Sequence, residues 1–499
     1  MDLLTYQLPR GLFDIAATRE LEQLAAAQLP SHALMQRAGR SAAQLALALA
    51  PHARRVWIAC GPGNNGGDGL EAAMHLQQWG KVPVVTWLGD EAKAPPDALF
   101  SLARARSVGV EFSAQAPTDL DPSDLCIDAL LGIGSTRSLQ GRLAELAQQL
   151  NASAAPVLAL DLPSGLDADT GAFLGQEAAS IAAETKAPIS AVLAQYTLTF
   201  LTLKPGLFTA QGRDACGQVW LDDLAVHDAA VTCSATLLGA PRPRMRPHAS
   251  HKGSFGDVAI VGGTKGMTGA ALLGARAALH NGAGRVYVAL LDAHAMQVDA
   301  AQPELMFRDF GTLECKGMTV VCGCGAGDEV RAALPRVLAN PSALVLDADA
   351  LNAIARETQL QSLLTARGRR GRVTVLTPHP LEAARLLGCS AAQVQAQRLH
   401  SAQQLAHRFD CTVVLKGSGT VVAAPGQTPA INPTGNARLA TAGTGDVLAG
   451  MIGAALASGL PAFSAACEAV YQHGALADQW PANVPLTAGQ MSTSGWYRD

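Results

Sequence analysis

Short apolar runs alternate with Ala-, Leu- and Gln-rich segments along most of the chain, and that alternation leaves few folds open. Runs at residues 56–60, 82–88, 125–130, 157–162 and 196–203 are apolar throughout or nearly so. Continuous apolar runs of this kind belong to strands buried on both faces, so a doubly wound parallel sheet is predicted. The pattern stops after about residue 220. Pro241-Arg242-Pro243-Arg244-Met245-Arg246-Pro247 can continue neither a helix nor a central strand and reads as a solvated linker. Strand candidates then restart at 258–261, 286–291, 320–322, 344–346, 373–376 and 413–415. Two different α/β domains are expected, at 1–225 and 248–499, with 226–247 between them. Ahead of the first strand the chain reads as helical through about Gly39 and again over 34–49. Thr18 is the expected cap of a segment with Leu21, Leu24 and Ala25 on one face.

At 499 residues the chain exceeds what one hydrophobic core usually organises. Apolar residues reach 49% against 16% charged, which excludes general disorder. The formal charge of −4 supplies no basic field, so no nucleic-acid partner is expected. The ten cysteines form no CxxC pair, and Cys322-Gly323-Cys324 reads as small buried thiols. No basic-then-apolar leader opens the sequence, and no apolar run approaches the ~20 residues that span a bilayer. A reducing cytoplasm, with no membrane partner, is the expected compartment.

Two Gly-rich constellations carry the chemistry. Gly61-Pro62-Gly63-Asn64-Asn65-Gly66-Gly67-Asp68-Gly69 follows the first strand and precedes a helical pattern at 70–78. It is not a Walker loop. Its glycines let backbone approach a ligand, and a helix N-terminus there favours anions. Asp128 leads into Gly132-Ile133-Gly134-Ser135, and Asp161 and Ser164 sit at the next strand's exit. Ligands of open parallel sheets bind outside the carboxyl ends of strands, which gathers Asn65, Asp128, Asp161 and Ser164 around one crevice. Mixed oxygen donors suit a hard cation, and an isolated carboxylate suits acid/base work. Each residue alone is equally readable as a turn former or helix cap.

In the second half, Thr441-Ala442-Gly443-Thr444-Gly445-Asp446 precedes the apolar helical pattern 447–452. Amides at such a turn suit a transferring phosphoryl group, and Asp446 is placed to act as general base. Lys416-Gly417-Ser418-Gly419-Thr420 joins two strands as a polar turn able to wrap a nucleotide. Thr377-Pro378-His379-Pro380 leaves another strand ahead of Glu382.

The motifs at 64–69, 128–135, 161–167 and 199–206 resemble the NAD(P)H-hydrate epimerase domain over about residues 10–220. The resemblance implies a Rossmann-like fold that interconverts the R and S epimers of hydrated NADH or NADPH. It implies K+ on Asn65, Asp128 and Ser164, and Asp161 as the acid/base group. Asn64, Asn65, Gly66, Gly67, Asp68, Gly132, Ile133, Gly134, Ser135, Thr136, Arg137, Ser138 and Asp161 would contact the hydrate.

Residues 251–256, 262–270, 347–352, 377–380 and 441–446 resemble the ribokinase-like NAD(P)H-hydrate dehydratase over roughly 240–485. That implies dehydration of the S hydrate at the expense of ADP with Mg2+, giving AMP and phosphate. By the same resemblance Ala270, Gly325, His379 and Asp446 would touch the hydrate, and Lys416 to Thr420 with Gly445 the nucleotide. The family usually has Gly-Pro-Gly-Leu-Gly where this chain has Gly323-Cys324-Gly325-Ala326-Gly327. Cysteine there relaxes a φ constraint and leaves the contact at Gly325 less firmly implied.

A fused repair enzyme is the leading expectation, with the hydrates and ADP as ligands and a homo-oligomeric assembly. A vitamin-type kinase would leave the first half unexplained. A scaffold role for the first half conflicts with its retained Asn65, Asp128, Asp161 and Ser164.

Overall fold

The computed structural model of the chain describes residues 1–175, 190–226 and 231–495. The chain divides into two compact units, Met1–Thr5 with Gly11–Ala235, and Tyr6–Arg10 with Thr236–Asp499. Each has its own sheet.

In the first unit the strands lie in the order Asp2–Leu3, Gln218–Asp222, Tyr196–Phe200, Val157–Leu160, Leu125–Ala129, Arg55–Cys60, Val82–Trp87, Glu111–Phe112. All neighbours are parallel except the first pair. The chain winds outward from Arg55–Cys60, then returns to lay Leu125–Ala129 on its other side. Between those two strands the winding reverses, and the crevice of a doubly wound sheet opens at their carboxyl ends. Leu125–Ala129 and Val157–Leu160 are buried at every position, as strands between two layers of helix must be. Separate apolar cores fill the two faces.

Two local expectations are corrected. The helix Ile15–Gln28 is capped by Asp14, whose carboxylate accepts from Ala17 N, and not by Thr18. Thr18 is buried inside the helix, its hydroxyl 2.7 Å from that of Thr202. Both are N-cap types, and the first one met wins because its extended backbone precedes the helical run. The helix expected from Leu70 begins at Asn64. Asn64 to Asp68 therefore form its first turns instead of a loop, despite two glycines. Packing overrides propensity here: a Cβ on Gly66 would stand 2.1 Å from Gly61 O, so only glycine lets this helix end sit on the strand exit.

The second unit repeats the principle with a longer mixed sheet. Met306–Phe307, Arg285–Leu290, Asp257–Gly262, Thr319–Cys322, Ala343–Leu346, Val373–Leu376 and Thr412–Leu415 run parallel in that order. Val421–Ala423 and Ala430–Ile431 continue it antiparallel. Its winding reverses between Asp257–Gly262 and Thr319–Cys322, and apolar clusters cover both faces. The expected linker 226–247 contains a strand, Ala235–Leu237, whose Thr236 and Leu237 pair with Ala430 and Ile431. Three residues are too few for periodicity to reveal. Residues 241–247 carry neither helix nor strand, and 227–230 lie outside the described residues. All ten cysteines are unpaired, and among the described residues no helix is long and apolar enough to cross a membrane.

Candidate functional site

At the first crevice a cavity of about 490 Å³ is lined by Asn64, Asn65, Asp68, Gly132, Ile133, Gly134, Ser135, Asp161 and Lys204. The helix Ile15–Gln28 supplies a further wall through Thr18, Arg19 and Glu22. Asp161 adopts a left-handed backbone, φ 67°, at the exit of Val157–Leu160. Its Oδ2 accepts from Ile133 N at 2.9 Å and its Oδ1 from Lys204 Nζ at 2.6 Å. Burial, then the charges of Asp161 and Glu22, raise the Asp68 carboxyl well above the usual range. Glu22 is raised for the same reasons, burial first and Asp161 second.

Asp128 and Ser164 do not line the cavity, nor do Gly66, Gly67 or Thr136 to Ser138. Asp128 is fully buried at the end of its strand. It accepts from Leu130 N at 3.1 Å, Ser164 N at 2.8 Å and Ser164 Oγ at 2.7 Å. Burial lifts its carboxyl to about 6, against the pull of those hydrogen bonds. The Asn65 side chain is buried with neither amide atom partnered. An orphaned carbonyl oxygen beside a helix N-terminus, with a carboxylate and a hydroxyl held at adjoining strand ends, is a donor set that fits a hard monovalent cation.

In the second unit the helix Thr444–Ala457 starts one turn earlier than its apolar pattern, with Gly443 as cap at φ 91°. Gly445 and Asp446 thus lie in its first turn, among amides with no intrahelical partner. Cys324, Asp347 and Asp446 bring a thiol and two carboxylates within 4.8 Å of one another. Burial, then the Asp347 charge, push the Asp446 carboxyl up to about 6, while the Cys324 thiol donates a hydrogen bond to it. Asp347 in turn accepts at Oδ1 from Lys416 Nζ at 2.7 Å and Thr377 Oγ1 at 2.8 Å. Two carboxylates suit Mg2+; the thiol does not.

Around this centre the sequence-predicted residues gather. A Cβ on Gly325, φ 55°, would meet Ala270 Cβ at 2.8 Å and Met267 O at 2.6 Å, so that loop lies tightly on the helix start at Thr268. His379 caps the helix Pro380–Leu387: its Nδ1 accepts from Leu381 N, and Glu382 answers by accepting from His379 N at 2.8 Å. Burial raises Glu382 to about 7 and lowers His379. The 416–420 loop rests on Arg398, a buried guanidinium donating to Leu415 O, Lys416 O and Gly419 O. A Cβ on Gly445 would lie 3.4 Å from Lys416 Nζ.

Four groups escaped the sequence reading as site residues: Asp347, which stood in the 347–352 motif without a role, Lys204, Glu22 and Arg398. Lys204 was legible as a lone charge after an apolar run. Glu22 and Arg398 had no signal, since charged residues on helices are ordinarily solvated.

Two family models match the chain, described as YjeF-related protein N-terminus over residues 31–206 and NAD(P)H-hydrate dehydratase over 258–493. The bifunctional NAD(P)H-hydrate repair enzyme Nnr of Escherichia coli K12 is 37% identical over 482 residues, covering 93% of this chain and 88% of that one. Its counterpart in Coxiella burnetii is 34% identical over 484 residues, covering 94% of each. Among solved structures, an ADP/ATP-dependent NAD(P)H-hydrate dehydratase from Bacillus subtilis, co-crystallised with ATP and Mg2+, is 31% identical. It covers 50% of this chain and 90% of its own, with a TM-score of 0.43. With both halves matched in order, and relatives of that identity aligned across both, the chain belongs to the bifunctional NAD(P)H-hydrate repair enzymes.

Proposed function

We propose that the first cavity epimerises hydrated NADH or NADPH and that the second site dehydrates the S epimer with ADP. The observation that carries the second half is Asp446, raised to about 6 at a helix N-terminus. It is ionised at neutral pH yet basic enough to take the proton of the hydrate's hydroxyl. The freed oxygen attacks the terminal phosphorus of ADP, and AMP leaves. Phosphate then departs from the ring as the adjacent carbon loses a proton, which restores the dihydronicotinamide double bond. Lys416, Gly417, Ser418, Gly419 and Thr420, with Gly445, hold the nucleotide; Ala270, Gly325 and His379 hold the hydrate. Asp347 would hold the Mg2+ that accompanies the nucleotide, which would offset its phosphate charge and leave Asp446 free to take the proton.

In the first cavity Asp161 takes the proton of the carbinolamine hydroxyl as the ring C–N bond opens to an aldehyde, and returns it when the nitrogen recloses on the carbonyl's other face. Asn64 to Asp68 and the 132–138 loop orient the hydrate. Asn65, Asp128 and Ser164 would hold K+, which would supply positive charge beside the cavity. Free, mostly buried thiols fit a reducing cytoplasm, and a homo-oligomer is part of this reading, open to light scattering. Incubating mixed hydrate epimers with ADP or ATP and following dihydronicotinamide absorbance tests the whole. Full recovery is expected with ADP; recovery of only one epimer would remove the epimerase, and none with either nucleotide would remove the dehydratase.

A further inference from the structure

Lys204 is wholly buried, and a buried ammonium needs an acceptor for each of its three protons. It has three: Asp161 Oδ1 at 2.6 Å, Phe200 O at 2.8 Å and Thr199 Oγ1 at 2.9 Å. No proton remains for a ligand, although the side chain reaches the cavity wall. The other Asp161 oxygen is taken by Ile133 N, and its own N–H is tied to Leu198 O at 2.7 Å. The carboxylate is thereby fixed from two sides.

The backbone around this pair is strained on both arms. Asp161 stands at φ 67° and Leu201, between Lys204's two other acceptors and Lys204 itself, at φ 63°. Side-chain-bearing residues in that region are disfavoured and concentrate at working sites. Stability does not explain the arrangement, because a buried ion pair is often replaceable by apolar residues without loss. The neighbouring acids Asp68 and Glu22 line the same cavity, so without Lys204 the Asp161 carboxylate would stand among further acids with one anchor instead of two.

We propose that Lys204 is a positioning residue of the epimerase site, holding the Asp161 carboxylate in the orientation that meets the hydrate's hydroxyl without touching the hydrate itself. This rests on the reading of the first cavity as the epimerisation site. A group acting only through the orientation of an acid/base residue affects turnover and leaves substrate binding nearly intact.

The test measures epimerase kcat and KM separately in the full chain. Lys204→Met is expected to lower kcat by about 100-fold, the low end for loss of general acid–base catalysis, with KM changed less than about threefold. Lys204→Ala should regain turnover with added methylammonium, which fills the vacated position as a cation, and not with methanol of similar size. A misfolded domain would show no such selectivity. Turnover retained by Lys204→Met, or Lys204→Ala restored by neither additive or by both equally, would overturn the proposal. Wild-type chain without epimerase activity would instead sink the reading of the cavity. An active wild type, an inactive Asp161→Asn and a fully active Lys204→Met would sink the role of Lys204 alone.

Discussion

Asp161 and Asp446 lie at Gly-rich sites of two unlike doubly wound units, Asp161 at the exit of Val157–Leu160, one strand beyond the reversal of its sheet, and Asp446 in the first turn of the helix Thr444–Ala457. Their surroundings are opposite. Asp161 is clamped between an ammonium and a backbone amide. Asp446 is crowded by the Asp347 carboxylate, and the nearby lysine is bonded to Asp347 instead. One carboxylate is thus fixed in direction; the other is tuned in basicity. Shuffling a proton at a single hydroxyl rewards orientation. Activating a hydroxyl to attack a phosphoryl group rewards a base whose strength is matched to neutral pH.

That contrast breaks most sharply under paired amide substitutions. Asp446→Asn is expected to cut dehydration by about 10³-fold while leaving epimer exchange intact, read from recovery of absorbance and from epimer ratios in the same sample. Asp161→Asn should do the reverse, leaving one epimer unrepaired; loss of both activities in either variant would join sites described here as separate. Next comes the cation. Asn65→Ala should raise the K+ concentration for half-maximal epimerisation by about tenfold, within the range for weakened metal ligation, and leave dehydration unmoved.

The pH dependence separates the sites more gently. In the proposed role Asp446 acts as its carboxylate, and its carboxyl lies at about 6. Dehydration should therefore be level above that pH and fall about tenfold per unit below it. A dehydration profile flat to pH 5 would exclude Asp446 as the base. Smallest is Cys324→Ala. The thiol's hydrogen bond lowers the Asp446 carboxyl, so removing it should move the acidic limb of that profile to higher pH, with the plateau nearly unchanged.

Strands were the most legible part of the fold, because Val157–Leu160 or Thr319–Cys322 can be apolar without interruption only between two helical layers. Helix starts were less so. Asn64 to Asp68 and Thr444 to Asp446 look like loop in composition, yet sheet packing extends helix through them. Candidate site residues on motif glycines and aspartates were visible, since backbone proximity and strand exits restrict what can stand there. Glu22 and Arg398 were not. A side chain that crosses from a helix to a loop far along the chain leaves no trace in local pattern, and only tertiary structure brings Arg398 under Leu415 O and Lys416 O.

That buried guanidinium has a thermodynamic consequence. With Arg398 bonded to two of its carbonyls and to Leu415 O just before it, and Gly417 already at φ 131°, the 416–420 turn surrenders its conformational freedom when the protein folds. A nucleotide arriving there meets a surface that has little left to order, so its binding entropy is set by water and by the ligand more than by the chain.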